Sequence, residues 1–176
     1  SETSVYALLH SGKIERKTWH GSAVTLPGLP DTAFEMIAAD EDDRVWGLSG
    51  GKLVRVAPSV QPEPCVQGGI NAAASHGVVF VVKADGTVTR VEGGACSREP
   101  TPDGVTWMAV RDGRATVVAR GVAWDRRADG SYEPLPGLTV LRGGERRAVD
   151  IAQVARSKYF LWARDVEGHV FVLSEP

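Results

Sequence analysis

Val79-Phe80-Val81-Val82-Lys83-Ala84-Asp85-Gly86-Thr87-Val88-Thr89-Arg90-Val91 is the stretch from which the fold of this chain is read. Two runs of β-branched and aromatic residues flank a turn at Asp85-Gly86, and glycine there adopts a positive φ at no steric cost. The stretch is a β-hairpin. Four more of the same design occur. Val5-Tyr6-Ala7-Leu8-Leu9 turns at Ser11-Gly12 into Ile14, and Val45-Trp46-Gly47-Leu48 turns at Gly50-Gly51 into Leu53-Val54-Arg55-Val56. Ala115-Thr116-Val117-Val118-Ala119 turns at Arg120-Gly121 into Val122-Ala123-Trp124, and Phe160-Leu161-Trp162-Ala163 turns at Glu167-Gly168 into Val170-Phe171-Val172. The five hairpins lie near 5–18, 45–56, 79–91, 115–126 and 159–173, and their turn glycines are spaced by 39, 35, 35 and 47 residues. Spacing of that regularity marks a repeat architecture.

Working outward, four hairpins follow an apolar, small-residue segment: Phe34–Ala39, Ile70–Ala74, Val105–Val110 and Val149–Val154. Their alanines suit strands crowded against one another. Between repeats lie weaker segments such as Ser22–Leu26 and Tyr132–Leu135, where proline fits an edge strand because it donates no ladder hydrogen bond. One crowded inner strand, two middle strands and one proline-tolerant outer strand describe a propeller blade. The expectation is therefore an all-β, single-domain β-propeller of about five blades over residues 1–176, with almost no helix. The first repeat lacks its inner strand and the last its outer one. Either the blades are not all four-stranded, or residues have been trimmed, or a partner supplies the missing strands, a homodimer among the options.

Composition agrees. With 20 Gly and 10 Pro among 176 residues, 43% of them hydrophobic and 24% charged, the chain is folded and turn-rich. A net charge of −2 and no basic–aromatic interleaving argue against nucleic acid, and the longest apolar run, Val78–Val82, argues against membrane insertion. The chain opens at Ser1 without Met, which reads as a processed or trimmed domain. Cys65 and Cys96 allow one disulfide between neighbouring repeats, provided that the domain is exported. These features favour an extracellular, periplasmic or cell-surface location.

Gly137-Leu138, Val149-Asp150-Ile151-Ala152 and Phe160–Phe171 together resemble the regulator-of-chromosome-condensation repeat, as do Ala72–His76 through Val88 and Leu26-Pro27-Gly28-Leu29. Val45-Trp46-Gly47-Leu48 is similar to the tectonin repeat of small propeller lectins as well. The glycine of "A-A-G" and the closing "W-G" of the first pattern are mostly missing. The resemblance implies a propeller used as a binding surface and brings no catalytic residues with it.

Chemistry-bearing motifs are few. Gly47-Leu48-Ser49-Gly50-Gly51 has G-x-S-x-G spacing, but a strand follows where a nucleophile elbow needs a helix, so Ser49 is a turn residue. Asp40-Glu41-Asp42-Asp43 could offer oxygen ligands to a cation but lacks calcium-loop spacing, and it reads as a solvated loop. No metal or other cofactor is expected. Glu35 and Asp150 fall on expected inner strands and are the two acids a propeller glycosidase would use. Trp46 and Trp162 share a strand position that points between blades, whereas Trp19 and Trp124 are freer to face solvent. The insertion Arg142-Gly143-Gly144-Glu145-Arg146-Arg147 is the first candidate for recognition. The expected binding set is Arg142, Glu145, Arg146, Arg147, Arg111, Arg114, Trp19 and Trp124. The resulting expectation is a non-enzymatic module that binds another protein, with carbohydrate as the alternative ligand.

Overall fold

The computed structural model describes residues 4–18, 20–26, 33–137, 139–142, 145–157 and 159–174, with the backbone alone at 140–142, 145–147, 173 and 174. Every regular element among them is a strand. Blade 1 contains β1 (Ser4–Leu8), β2 (Ile14–Thr18) and β3 (Val24–Thr25). Blade 2 contains β4 (Met36–Ala39), β5 (Val45–Ser49), β6 (Lys52–Ala57) and β7 (Gln61–Glu63). Blade 3 contains β8 (Gly69–Ser75), β9 (Val78–Lys83), β10 (Val88–Glu92) and β11 (Ala95–Glu99). Blade 4 contains β12 (Val105–Arg111), β13 (Arg114–Ala119), β14 (Val122–Arg126) and β15 (Tyr132–Pro134). A separate hairpin, β16 (Thr139–Arg142) with β17 (Glu145–Ala148), precedes blade 5, which has β18 (Ile151–Arg156), β19 (Phe160–Asp165) and β20 (Val170–Ser174). Each blade is an antiparallel meander in sequence order, and the inner strands β4, β8, β12 and β18 stand side by side in that order.

The core sits in the seams between blades. Strand alternation gives each blade two apolar faces, and each seam joins the outgoing face of one blade to the incoming face of the next. Trp46, Leu48 and Leu53 of blade 2 pack on Ala72, Ala74, Val79 and Val81 of blade 3. Phe80, Val82 and Val88 of blade 3 meet Met108, Ala115 and Val117 of blade 4. Val118 and Ala123 of blade 4 meet Ile151, Val154, Leu161 and Ala163 of blade 5. Tyr6, Leu8 and Ile14 of blade 1 meet Phe34, Val45 and Val56 of blade 2. The small residues of the inner strands earn their place here: Ala72, Ala73 and Ala74 are all buried, and they serve two different seams.

The turn glycines have a second role beyond their positive φ. In blades 1 to 4 each accepts a backbone hydrogen bond from the start of the next blade: Phe34 N–H to Gly12 O (3.3 Å), Gly69 to Gly51 (2.9 Å), Val105 to Gly86 (3.2 Å) and Ile151 to Gly121 (2.9 Å). A Cβ on Gly86 would lie 2.8 Å from the Gly104 Cα, and one on Gly12 would lie 2.6 Å from the Ala33 Cα. The turn must therefore be bare backbone for the next blade to close on it. Gly168, in the last blade, would bring its Cβ near only the Arg164 side chain.

Candidate functional site

In blades 2 to 4 the first turn, between the inner and second strands, emerges at one end of the propeller, and the second turn, with the blade-to-blade connection, emerges at the other. The first-turn end is organised by Asp40-Glu41-Asp42-Asp43, the loop joining β4 to β5. This acidic run is a cross-blade staple where sequence suggested a solvated loop. Asp40 is buried; its Oδ1 accepts the N–H groups of Asp42 and Arg44, and its Oδ2 accepts the Gly77 N–H of blade 3 at 2.7 Å. Glu41 reaches further. Its carboxylate accepts the Ser75 hydroxyl (3.2 Å) and the His76 N–H (3.1 Å) of blade 3, then the Asp112 N–H (3.0 Å) of blade 4. Ser75 Oγ in turn accepts the Gly113 N–H at 3.0 Å. Asp43 faces the other way, pairing with Arg16 at 3.2 Å and accepting from Ser4 Oγ of blade 1.

Burial pulls the Glu41 carboxyl upward, but hydrogen bonds to the backbone of Asp112 and His76 and to Ser75 hold it below the ordinary glutamate range. Glu41, His76 and Asp112 are close enough together to be considered as cation ligands. The donors already on both Glu41 oxygens make structural capping the better description of the carboxylate. Around this fixed base stand Arg44 (41% side-chain exposure), His76 (57%), Arg111 (46%) and Arg114 (55%). The result is a rigid platform of mixed charge built from three blades.

Farther out, the seams carry buried ionic groups. Glu99 of blade 3 accepts from Arg126 Nε of blade 4 at 2.8 Å, and the Tyr132 hydroxyl approaches the same oxygen. Burial first, and the Glu99 charge second, raise the Tyr132 pKa, so the phenol stays protonated. Arg156 of blade 5 has only 2% side-chain exposure and binds the Asp125 carboxylate and Thr116 Oγ1 of blade 4. Asn71, the chain's one asparagine, is 1% exposed; its Oδ1 accepts the Met108 N–H at 3.0 Å and its Nδ2 points at Met36 Sδ.

The residues singled out from sequence do not converge. Arg111 and Arg114 lie at the first-turn end, flanking the β12–β13 turn. Arg142 ends β16 and Glu145, Arg146 and Arg147 lie on β17, with Arg142 paired to Glu145; the base of this strand pair adjoins the Gly121 turn at the opposite end, and residues 143 and 144 lie outside the described residues. The side chains of Arg142, Glu145, Arg146 and Arg147, and the whole of Trp19, lie outside the described residues. Trp124 is half-buried, packed against the seam between blades 3 and 4, rather than facing solvent. Trp46 fills its seam at 3% exposure, but Trp162, expected to do the same, is 40% exposed, since no blade follows its own among the described residues.

Glu35 and Asp150 each immediately precede an inner strand instead of lying on it. Glu35 accepts the Gly50 N–H at 3.2 Å and Asp150 abuts Gly121, with blades 3 and 4 between them in the ring order. Ser49 ends β5 and donates to Ala33 O. Cys65 and Cys96 form a disulfide joining the β7–β8 connection to β11, across blades 2 and 3. What sequence reasoning missed was the Asp40–Glu41 staple and the buried Arg156 and Glu99. A one-repeat acidic run was its visible signal.

The chain matches no protein-family model, and no curated protein matches it in sequence. Solved structures that resemble it are β-propellers. It superposes on virginiamycin B lyase from Staphylococcus aureus with a TM-score of 0.64 at 10% identity, covering 98% of this chain and 63% of that one. Prp20p from Saccharomyces cerevisiae, described for its binding to Gsp1p and histones, gives 0.65 at 10% identity, covering 98% and 56%. YCF48 bound to D1 peptide gives 0.63 at 16% identity, covering 98% and 60%. The chain thus spans about three fifths of the length of these proteins, and at such identities the likeness establishes the propeller fold.

Proposed function

We propose that this chain is a non-enzymatic protein-binding module that engages its partner through the first-turn end. The observation that carries the reading is the Glu41 staple, which locks turns of blades 2, 3 and 4 into one surface while leaving Arg44, His76, Arg111 and Arg114 exposed on it. A fixed polar surface loses little entropy on association, and interspersed charge of both signs suits a protein better than a polyanion. The resemblance of the repeats to the regulator-of-chromosome-condensation pattern supports the same use, as do solved propellers whose structures or binding were described with Gsp1p, histones or D1 peptide. The disulfide favours an oxidising compartment as the place of encounter. Glu35 and Asp150, each held at its own strand start on separate blades, give no support to a paired-acid hydrolase.

The test is capture from the extracellular or periplasmic fraction of the source organism, with the chain immobilised. Arg111→Glu with Arg114→Glu should abolish retention of the partner, and Arg98→Glu on the exposed outer strand β11 should leave it intact. Bound protein should elute with rising salt. Retention that survives the double reversal would overturn the assignment of this face.

A further inference from the structure

Ala33, Gly68, Gly104 and Asp150 occupy one place in the repeat, immediately before the residue whose N–H bonds to the turn glycine of the preceding blade. Three of these seams put a methyl group or less against that glycine. The seam between blades 4 and 5 puts a carboxylate there. The same seam has the longest spacing, 47 residues between Gly121 and Gly168, and carries the inserted strand pair β16–β17. Departures of this kind from an otherwise consistent scaffold mark functional positions.

A cavity of about 120 Å³ opens beside the Asp150 carboxylate. Val122, Leu135, Pro136, Val149 and Ile151 line it, and Asp150 is the one ionisable group among its described lining residues. Ile151 is buried and Val122 is 38% exposed, so the cavity runs from the seam to the surface. A void of roughly 150 Å³ admits a benzene ring, and small-molecule sites begin at about 300 Å³. The space therefore suits one unbranched side chain and excludes a nucleotide or an oligosaccharide.

Charge decides which side chain. Among the described residues Asp150 makes no ion pair and its carboxylate accepts no hydrogen bond. Arg120, next to Gly121 in sequence, lies instead over Gly104, and Arg164 bonds Gln153. Asp150 Oδ1 lies 2.9 Å from where a Cβ on Gly121 would stand, so this oxygen is packed onto the turn. A guanidinium fork uses both carboxylate oxygens in its bidentate pair, whereas an ammonium is a point charge that one oxygen can hold.

We propose that this cavity is a lysine pocket: a lysine side chain of a partner protein lays its aliphatic stem along Val122, Leu135 and Val149 and sets its ammonium on Asp150 Oδ2. The site lies at the second-turn end and is independent of the Arg111–Arg114 face.

A titration of the isotope-labelled chain with a blocked glycine–lysine–glycine peptide, followed by amide resonances, tests this. Gly121, Val122 and Ile151 should shift with a Kd of about 1–10 mM, the affinity that one short side chain supports. Replacing the lysine with norleucine keeps the stem and removes the charge; Asp150→Asn keeps the shape of the carboxylate and removes its charge. Each should weaken binding about tenfold or more, as loss of a charge-assisted hydrogen bond does. The norleucine arm uses the unaltered chain, so it decides the matter even where Asp150→Asn disturbs the turn. Methylammonium, the head without the stem, should also bind about tenfold or more weakly than the peptide. Arg111→Glu with Arg114→Glu should leave the titration unchanged. An arginine analogue that binds equally well overturns the assignment to lysine. Binding indifferent to norleucine or to Asp150→Asn, or no shift at these three residues up to about 20 mM peptide, overturns the pocket itself.

Discussion

Substituting alanine for the turn glycines one blade at a time separates the backbone cost of each turn from the cost of the seam it closes. Gly86 and Gly168 are equivalent in the repeat and both have positive φ, +80° and +93°. Alanine in left-handed backbone costs about 1–2 kcal/mol. The reduced freedom of the unfolded chain returns about 0.4–1 kcal/mol. Backbone effects alone therefore predict about 0–1.6 kcal/mol at either site. At Gly86 the new Cβ would also sit 2.8 Å from the Gly104 Cα and 3.2 Å from its nitrogen, atoms of the backbone that cannot swing aside. Opening that seam adds about 1–3 kcal/mol, the usual cost of overpacking. At Gly168 the nearest atoms belong to the Arg164 side chain at 3.8 Å, ordinary contact with a flexible group. Urea unfolding followed by tryptophan fluorescence should show Gly86→Ala less stable than Gly168→Ala by about 1–3 kcal/mol, with unchanged m-values. Equal losses at the two sites would refute the close-approach role and leave turn conformation as the whole explanation.

Further outcomes follow from the same seams. The Cys65–Cys96 link closes a 31-residue separation, so replacing both cysteines with alanine should cost about 3–4 kcal/mol, and reduction of the unaltered protein should reproduce the loss. Asn71→Leu leaves the buried Met108 N–H without its acceptor and should cost about 1–3 kcal/mol by the same unfolding assay. Arg156→Met removes the buried guanidinium's hydrogen bonds but leaves Asp125 with Thr116 Oγ1 and Arg114, and should cost about 1.5–3 kcal/mol, whereas Arg16→Met, at an exposed pair, should cost under about 1 kcal/mol; equal effects would mean burial does not set the difference. Glu41 is held below its ordinary pKa, so its contribution is complete above the usual glutamate range and is lost as pH falls through the folded value. Stability measured from pH 7 to 3 should accordingly fall less steeply in Glu41→Gln than in the unaltered chain.

The blades were legible because hairpin chemistry is local. Alternation in Val79–Val82 and Val88–Val91 and the glycine between them announce a strand pair without knowledge of the neighbours, and the strands form there. Among the described residues the first and last blades each have three strands, and the shortfall in those two repeats could be read from the sequence for the same reason. Long-range consequences were not. Trp46 and Trp162 occupy the same strand position in their repeats, yet one is sealed and the other solvated, because exposure depends on whether a blade follows. Likewise nothing in Asp40-Glu41-Asp42-Asp43 states that Glu41 will meet Asp112, 71 residues on. That contact exists because the inner strands pack side by side, which brings successive first turns within one side-chain length.

The distribution of ionic groups has a further consequence for how five similar sheets choose their order. Apolar faces built from valine, alanine and leucine are nearly interchangeable, so hydrophobic burial alone discriminates weakly between a correct and an incorrect neighbour. The polar contacts are different at every seam: Asp43 with Arg16 between blades 1 and 2, Asp40 and Glu41 with the blade 3 turn, Glu99 with Arg126 between blades 3 and 4, and Asp125 with Arg156 between blades 4 and 5. A misplaced blade would bury Glu99 or Arg156 without its counterion, a penalty far larger than any mismatch of methyl groups. The ionic groups thus specify sequence-order stacking while the apolar faces supply most of the attraction.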